Sequence, residues 1–89
     1  MTRAVLTQRS LVGRLTARAL RFGLRADADD QDIATEAALL CGLADGNRTA
    51  LHLALRRIDA AALDRRHSDV AEQARSVLQV ALERGDWRW

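Results

Sequence analysis

Apolar residues recur along this chain with the period of an α-helix, in four blocks separated by polar punctuation. In the first block, about residues 2–24, Val5, Leu11, Val12, Leu15, Ala19 and Phe22 share one face of a helical wheel. Leu6, Leu20 and Leu24 lie away from that face, a second patch that suggests a first helix covered on more than one side. Gly13 interrupts the block at a cost of about 1 kcal/mol relative to Ala. Gly23 reads as fraying at its far end. The second block, about 30–43, sets Ile33, Ala37, Leu40, Cys41 and Ala44 on one face, widened by Leu39 and Leu43. So short a helix, apolar around much of its circumference, is expected to be central. The third block, about 48–65, places Leu51, Leu55, Ile58 and Ala62 at i, i+4, i+7 and i+11, with Ala54 beside them. The fourth, about 69–84, offers Val70, Ala74, Val77, Leu78 and Ala81.

The punctuation between blocks is chemically specific. Asp29 or Asp30 suits the N-cap of the second helix, with Asp32 and Glu36 near its positive end. Asp45, Gly46 and Asn47 form a turn in which Gly46 takes positive φ and Asn47 caps the third helix. Ser68 suits the N-cap of the fourth, with Asp69 and Glu72 in its first turn, and Gly85 ends it. The predicted fold is all-α, a single domain over residues 1–89 built as a small bundle or looser orthogonal array of about four helices. Short turns are placed at 25–30, 44–47 and 66–68, with a tail at 85–89.

Composition tightens this picture. The chain has 89 residues, no Pro, no Tyr and no Lys, and 17 of its apolar residues are Ala. A core of Leu and Ala in so small a domain is thin, and the one cysteine, Cys41, excludes an internal disulfide. Self-association is the common remedy, so a homodimer is expected. No apolar run approaches the ~20 residues of a membrane span, and the expected location is cytoplasmic. Residues 1–26 share the composition of a mitochondrial transit peptide, although the favoured reading is a native first helix. All 14 basic residues are Arg, which reads first as a GC-rich, bacterial coding bias.

Charge is segregated. The first 25 residues carry six arginines and no acid; residues 26–47 carry six acids (Asp27, Asp29, Asp30, Asp32, Glu36 and Asp45) and no base. Arg14, Arg18, Arg21 and Arg25 follow i, i+4, i+7 and i+11 and form a stripe beside the apolar face of the first helix. Four guanidiniums one turn apart suit an acidic protein groove or successive phosphates. The competing reading is internal pairing with Asp27, Asp29, Asp30, Asp32 and Glu36, worth about 0–1 kcal/mol per exposed pair.

Other candidates are weaker. Arg56, Arg57, Arg65, Arg66 and His67 crowd the end of the third helix, where Asp59 and Asp64 offer local partners. Trp87, Arg88 and Trp89 lie past the last helix; two indoles on a free tail leave much apolar area in water, so they fold back or anchor a partner. Cys41, His52 and His67 follow no zinc spacing. Cys41 reads as a small buried hydrophobe, and His52 as a boundary residue. No Ser/His/Asp set or Gly-rich phosphate loop is visible, so no catalytic residue, cofactor or metal is assigned and the chain is not read as an enzyme.

Residues 38–54 carry the pattern Leu40-x-x-Leu43-Ala44-Asp45-Gly46-x-x-Thr49 followed by an apolar helix. This locally resembles the helix-turn-helix entry of arsenic-repressor-type winged-helix proteins, which implies DNA binding. The resemblance covers under a fifth of the chain. The third helix continues through Ile58, no separate recognition helix follows, and nothing after Arg66 alternates like a wing. The sequence therefore points to a small protein-interaction module, an adaptor, regulator or assembly subunit binding itself or another protein. Its partner-binding candidates are Arg14, Arg18, Arg21, Arg25, Trp87, Arg88 and Trp89. The alternative is a nucleic-acid-binding regulator using the arginine stripe or the 38–54 segment.

Overall fold

The computed structural model describes residues 8–25, 27–61 and 68–84. Within them the chain forms four helices, α1 (Gln8–Gly23), α2 (Asp30–Ala44), α3 (Arg48–Ala61) and α4 (Ser68–Arg84), and no strand. The expected start of the first helix, the end of the third, the 66–68 turn and the tail fall on residues 1–7, 62–67 and 85–89, outside the described residues.

The helix ends obey local chemistry. Asp29 is extended (φ −101°, ψ −177°) and closes a reciprocal capping box with Asp32. The Asp32 amide donates to Asp29 Oδ1 at 2.8 Å, and the Asp29 amide to Asp32 Oδ2 at 3.2 Å. At the far end of α2 the chain reverses through two left-handed residues, Asp45 (φ 51°) and Gly46 (φ 81°). The Asp45 amide reaches back to the carbonyls of Cys41 and Gly42. Asn47 then caps α3, its Oδ1 accepting from the Ala50 amide at 3.0 Å. Its Nδ2 donates to Gln8 Oε1 at 2.7 Å, which ties this turn to the start of α1.

Helix directions follow from the cross-contacts. Arg18 meets Glu36 and Arg25 meets Asp32, so α1 and α2 are antiparallel. Gln8 meets Asn47 and Gly13 faces Arg57, so α1 and α3 run together. α4 starts against the end of α1 and finishes beside the end of α2. The array is up-down-up-down, and of the sequence-adjacent pairs only α3 and α4 pack extensively. α4 packs extensively against all three other helices and α1 against α3, while α2 touches α1 and α3 only lightly.

The core is a single cluster. Leu11, Val12, Leu15, Ala19 and Phe22 of α1 are buried with Ala37, Leu40 and Ala44 of α2. They are joined by Ala50, Leu51, Ala54 and Ile58 of α3 and by Ala71, Ala74, Val77, Leu78, Ala81 and Leu82 of α4. Alanines on facing surfaces let helices approach closely, which suits a chain with few large apolar residues.

Three expectations are corrected. α2 is not central: Leu39 is 50% exposed, and Thr35, Ala38 and Gly42 face solvent with it. Breadth of an apolar face measures capacity for burial, and α2 has too few neighbours to use it; α4 occupies the hub instead. The buried stripe of α3 is rotated toward Ala50 and Ala54, leaving Leu55 only partly covered. Gly23 is not a frayed end. A Cβ there would lie inside van der Waals contact of the Val70 carbonyl oxygen, so the missing side chain is what lets α4 reach α1. Next to it, Gln73 Nε2 donates to the Phe22 carbonyl at 3.2 Å, which also accepts from the Arg25 amide, and to the carbonyl of Arg25 just past the helix end.

The two glycines of α1 should therefore respond with opposite signs. Gly23→Ala is expected to lose about 1–3 kcal/mol, because a backbone oxygen cannot yield. At Gly13 a Cβ meets, among the described residues, only Arg57 Nη1 at 3.9 Å, so Gly13→Ala is expected to gain up to about 1 kcal/mol. Urea unfolding of the two variants checks both values.

Candidate functional site

The arginine row of α1 lies on the flank that faces α2, where the antiparallel arrangement brings acids within reach. Arg18 Nε lies 2.7 Å from Glu36 Oε2, and its Nη2 lies 3.5 Å from Oε1 of the same carboxylate. The Glu36 side chain is only 13% exposed, so this pair is partly shielded. Arg25 Nη2 lies 3.5 Å from Asp32 Oδ2, with its guanidinium 5.5 Å from the centre of the Phe22 ring. Asp32 thus serves both the capping box and Arg25. Arg14 and Arg21 are exposed and meet no carboxylate among the described residues. Arg18, Arg21, Phe22, Arg25 and Glu36 together line a hollow of about 150 Å³, to which three arginines and one glutamate contribute. Internal pairing accounts for two of the four arginines and leaves an excess of positive charge.

The opposite flank of α1 carries a second cationic feature. Gln8, Arg9 and Val12 face Leu53, Arg56, Arg57 and Ala60 of α3 across a groove of about 540 Å³, within the ~300–1,000 Å³ range of ligand clefts. The floor is apolar, with Val12 almost wholly buried and Leu53 partly so. Arginines stand on both walls, and among the described residues no acid lines the groove. The sequence had grouped Arg56 and Arg57 with Arg65, Arg66 and His67, and had offered Asp59 as a local partner. Asp59 turns instead toward α4, where its Oδ1 lies 2.7 Å from Arg75 Nε. That cross-helix pair leaves Arg56 and Arg57 without a carboxylate among the described residues, free to join Arg9. A signal was present: Leu53, Arg56, Arg57 and Ala60 follow i, i+3, i+4 and i+7 beside the buried stripe. Finding the groove also required knowing that α3, not α2, is the principal partner of α1 on this side.

The remaining candidates separate. Trp87, Arg88 and Trp89 lie outside the described residues, as do Arg65, Arg66 and His67. His52 is exposed. Cys41 is partly buried, and its thiol donates to the Ala81 carbonyl at 3.3 Å, fastening α2 to α4. Among the described residues, no three His, Cys, Asp or Glu side chains converge as metal ligands would. No described helix is long and apolar enough to cross a membrane.

A double-mutant cycle on Arg18→Ala and Glu36→Ala should give a coupling of about 1 kcal/mol or less that shrinks with added salt. Arg14→Gln and Arg21→Gln should each leave stability within about 0.5 kcal/mol of the wild type, as measured by urea unfolding. The chain matches no protein-family model, and no curated protein or solved structure matches it either.

Proposed function

We propose that this chain is a small protein-interaction module, an adaptor, regulator or assembly subunit that acts through its helical surfaces, associates with itself and engages acidic protein surfaces. The observation that carries this reading is the incomplete neutralisation of α1. Its row of arginines sits on a helix anchored by a wholly buried Leu15 and Ala19, so the guanidiniums are held on a rigid base. Glu36 and Asp32 consume Arg18 and Arg25, while Arg14 and Arg21 remain available. Guanidiniums pre-positioned in this way lose less freedom on binding a carboxylate than a flexible lysine would. A second set of arginines, over an apolar floor, offers the mix of charge and apolar contact typical of protein recognition. The Trp87–Arg88–Trp89 tail adds residue types that dominate binding energy in protein interfaces. The proposed setting is the cytoplasm.

Nucleic-acid binding is the second reading, motivated by the same row of guanidiniums. The 38–54 segment lends it less. α3 runs unbroken from Arg48 to Ala61, and α2 and α3 touch only lightly.

The decisive comparison uses Arg14→Glu/Arg21→Glu, which spares both paired arginines. Cross-linking in cell extract followed by purification should recover a specific acidic protein with the wild type and lose it with the variant. In parallel, a labelled random DNA duplex should not be retained at low salt. Retention that weakens by about one log-log unit per phosphate contact as salt rises would replace the protein-interaction reading with the nucleic-acid one.

A further inference from the structure

Two unmatched features of this chain are complementary to each other. The first is the groove between α1 and α3, with Arg9, Arg56 and Arg57 around Val12, Leu53 and Ala60. The second lies where α1 gives way to α2. Leu24 is 71% exposed there, more than any other large hydrophobic side chain among the described residues. Asp27, Asp29 and Asp30 follow it, all exposed, and none pairs with an arginine among the described residues. The acids that do pair, Asp32 and Glu36, lie further along α2. A protruding leucine followed by three carboxylates therefore has, in the same chain, a groove with an apolar floor and three guanidiniums.

One protomer cannot bring the two together. Val12 and Leu24 belong to the same helical segment, about 18 Å apart at 1.5 Å per residue. Deepening the protein-interaction reading, on which this step rests, we infer that the α1–α3 groove of one protomer receives Leu24 and the acids after it from a second copy. Leu24 lies against Val12, Leu53 and Ala60, and Asp27, Asp29 and Asp30 face Arg9, Arg56 and Arg57. Groove and knob are different surfaces, so two protomers exchange them reciprocally about a two-fold axis, or each added protomer leaves one free groove and one free knob and the assembly grows as a larger ring or an open chain. The contact also gives part of the charge segregation a use: the acids after Leu24 meet Arg9 of the all-basic first segment together with Arg56 and Arg57 of α3.

Sedimentation velocity of the full chain over a concentration series tests this. The expected result is an average mass that climbs with concentration from one protomer to two or more and falls as salt rises. A groove variant, Arg56→Glu/Arg57→Glu, and a knob variant, Leu24→Ser/Asp27→Arg, change only exposed residues, and circular dichroism verifies that both stay folded. Each alone should associate about tenfold or more weakly than the wild type. Mixed in equal amounts, they should form a complex that stops at two chains, one supplying the groove and the other the knob. Association of either variant alone at wild-type strength would overturn the groove–knob contact while leaving the protein-interaction reading standing. A mixture that forms no complex overturns the contact as well. A wild type that stays monomeric, yet captures an acidic protein through Arg56 and Arg57, assigns the groove to a different partner and overturns self-occupancy.

Discussion

The burial of α4 against three helices at once is the constraint on which the rest of this structure depends. The chain has few large apolar residues, and it compensates by close approach: Ala71, Ala74 and Ala81 of α4 are fully buried, as are Ala19, Ala37, Ala50 and Ala54 of the helices around it. Small side chains contribute little transfer free energy each, but they allow Leu15, Leu40, Leu51, Ile58, Val77 and Leu78 to be enclosed completely. The same logic appears at the α1–α4 crossing, where Gly23 admits the Val70 carbonyl and Gln73 closes the end of α1. α4 serves both as a packing surface and as a cap for its neighbour.

With α4 at the centre, the surfaces left over are decided. α1 is shared between α4 and α3, which exposes its arginine-bearing flank toward α2 and opens the groove toward α3. α2 is displaced to the outside, where Leu39 and the small residues beside it face solvent. Charge then distributes by proximity. Glu36 and Asp32 lie opposite Arg18 and Arg25 because α1 and α2 run antiparallel, and Asp59 reaches Arg75 because α3 and α4 adjoin. Pairs of this strength do not hold the fold together. Their effect is selective: each carboxylate taken by one arginine leaves others, Arg14, Arg21, Arg56 and Arg57, without a carboxylate among the described residues.

Local chemistry was legible in the sequence. The helices start where Asp29 and Asn47 offer side-chain acceptors, and the 45–47 turn uses Gly46 as expected. The inward positions of α1 are those of its apolar stripe, Leu11 through Phe22. These outcomes depend on periodicities and hydrogen bonds that span a few residues. The second left-handed residue, Asp45, escaped notice because only glycine advertises positive φ. Gly23 misled for a similar reason: a glycine near a helix end reads the same whether the end frays or a neighbouring backbone presses on it.

By itself, then, the sequence determined the helical class, the four helices of the described residues, most of their described boundaries and the inward face of α1, since these follow from local propensity and amphipathic period. It also set out four candidate arginines, of which Arg14, Arg18 and Arg21 lie on α1 and Arg25 just past its end. Only the tertiary structure decided that α4 and not α2 is the hub, that Asp59 abandons Arg56 for Arg75, and that Arg9 joins Arg56 and Arg57 around an apolar floor. Those outcomes turn on which helices become neighbours. That choice is made by the fit of small and large side chains across the whole core, and no single helix encodes it.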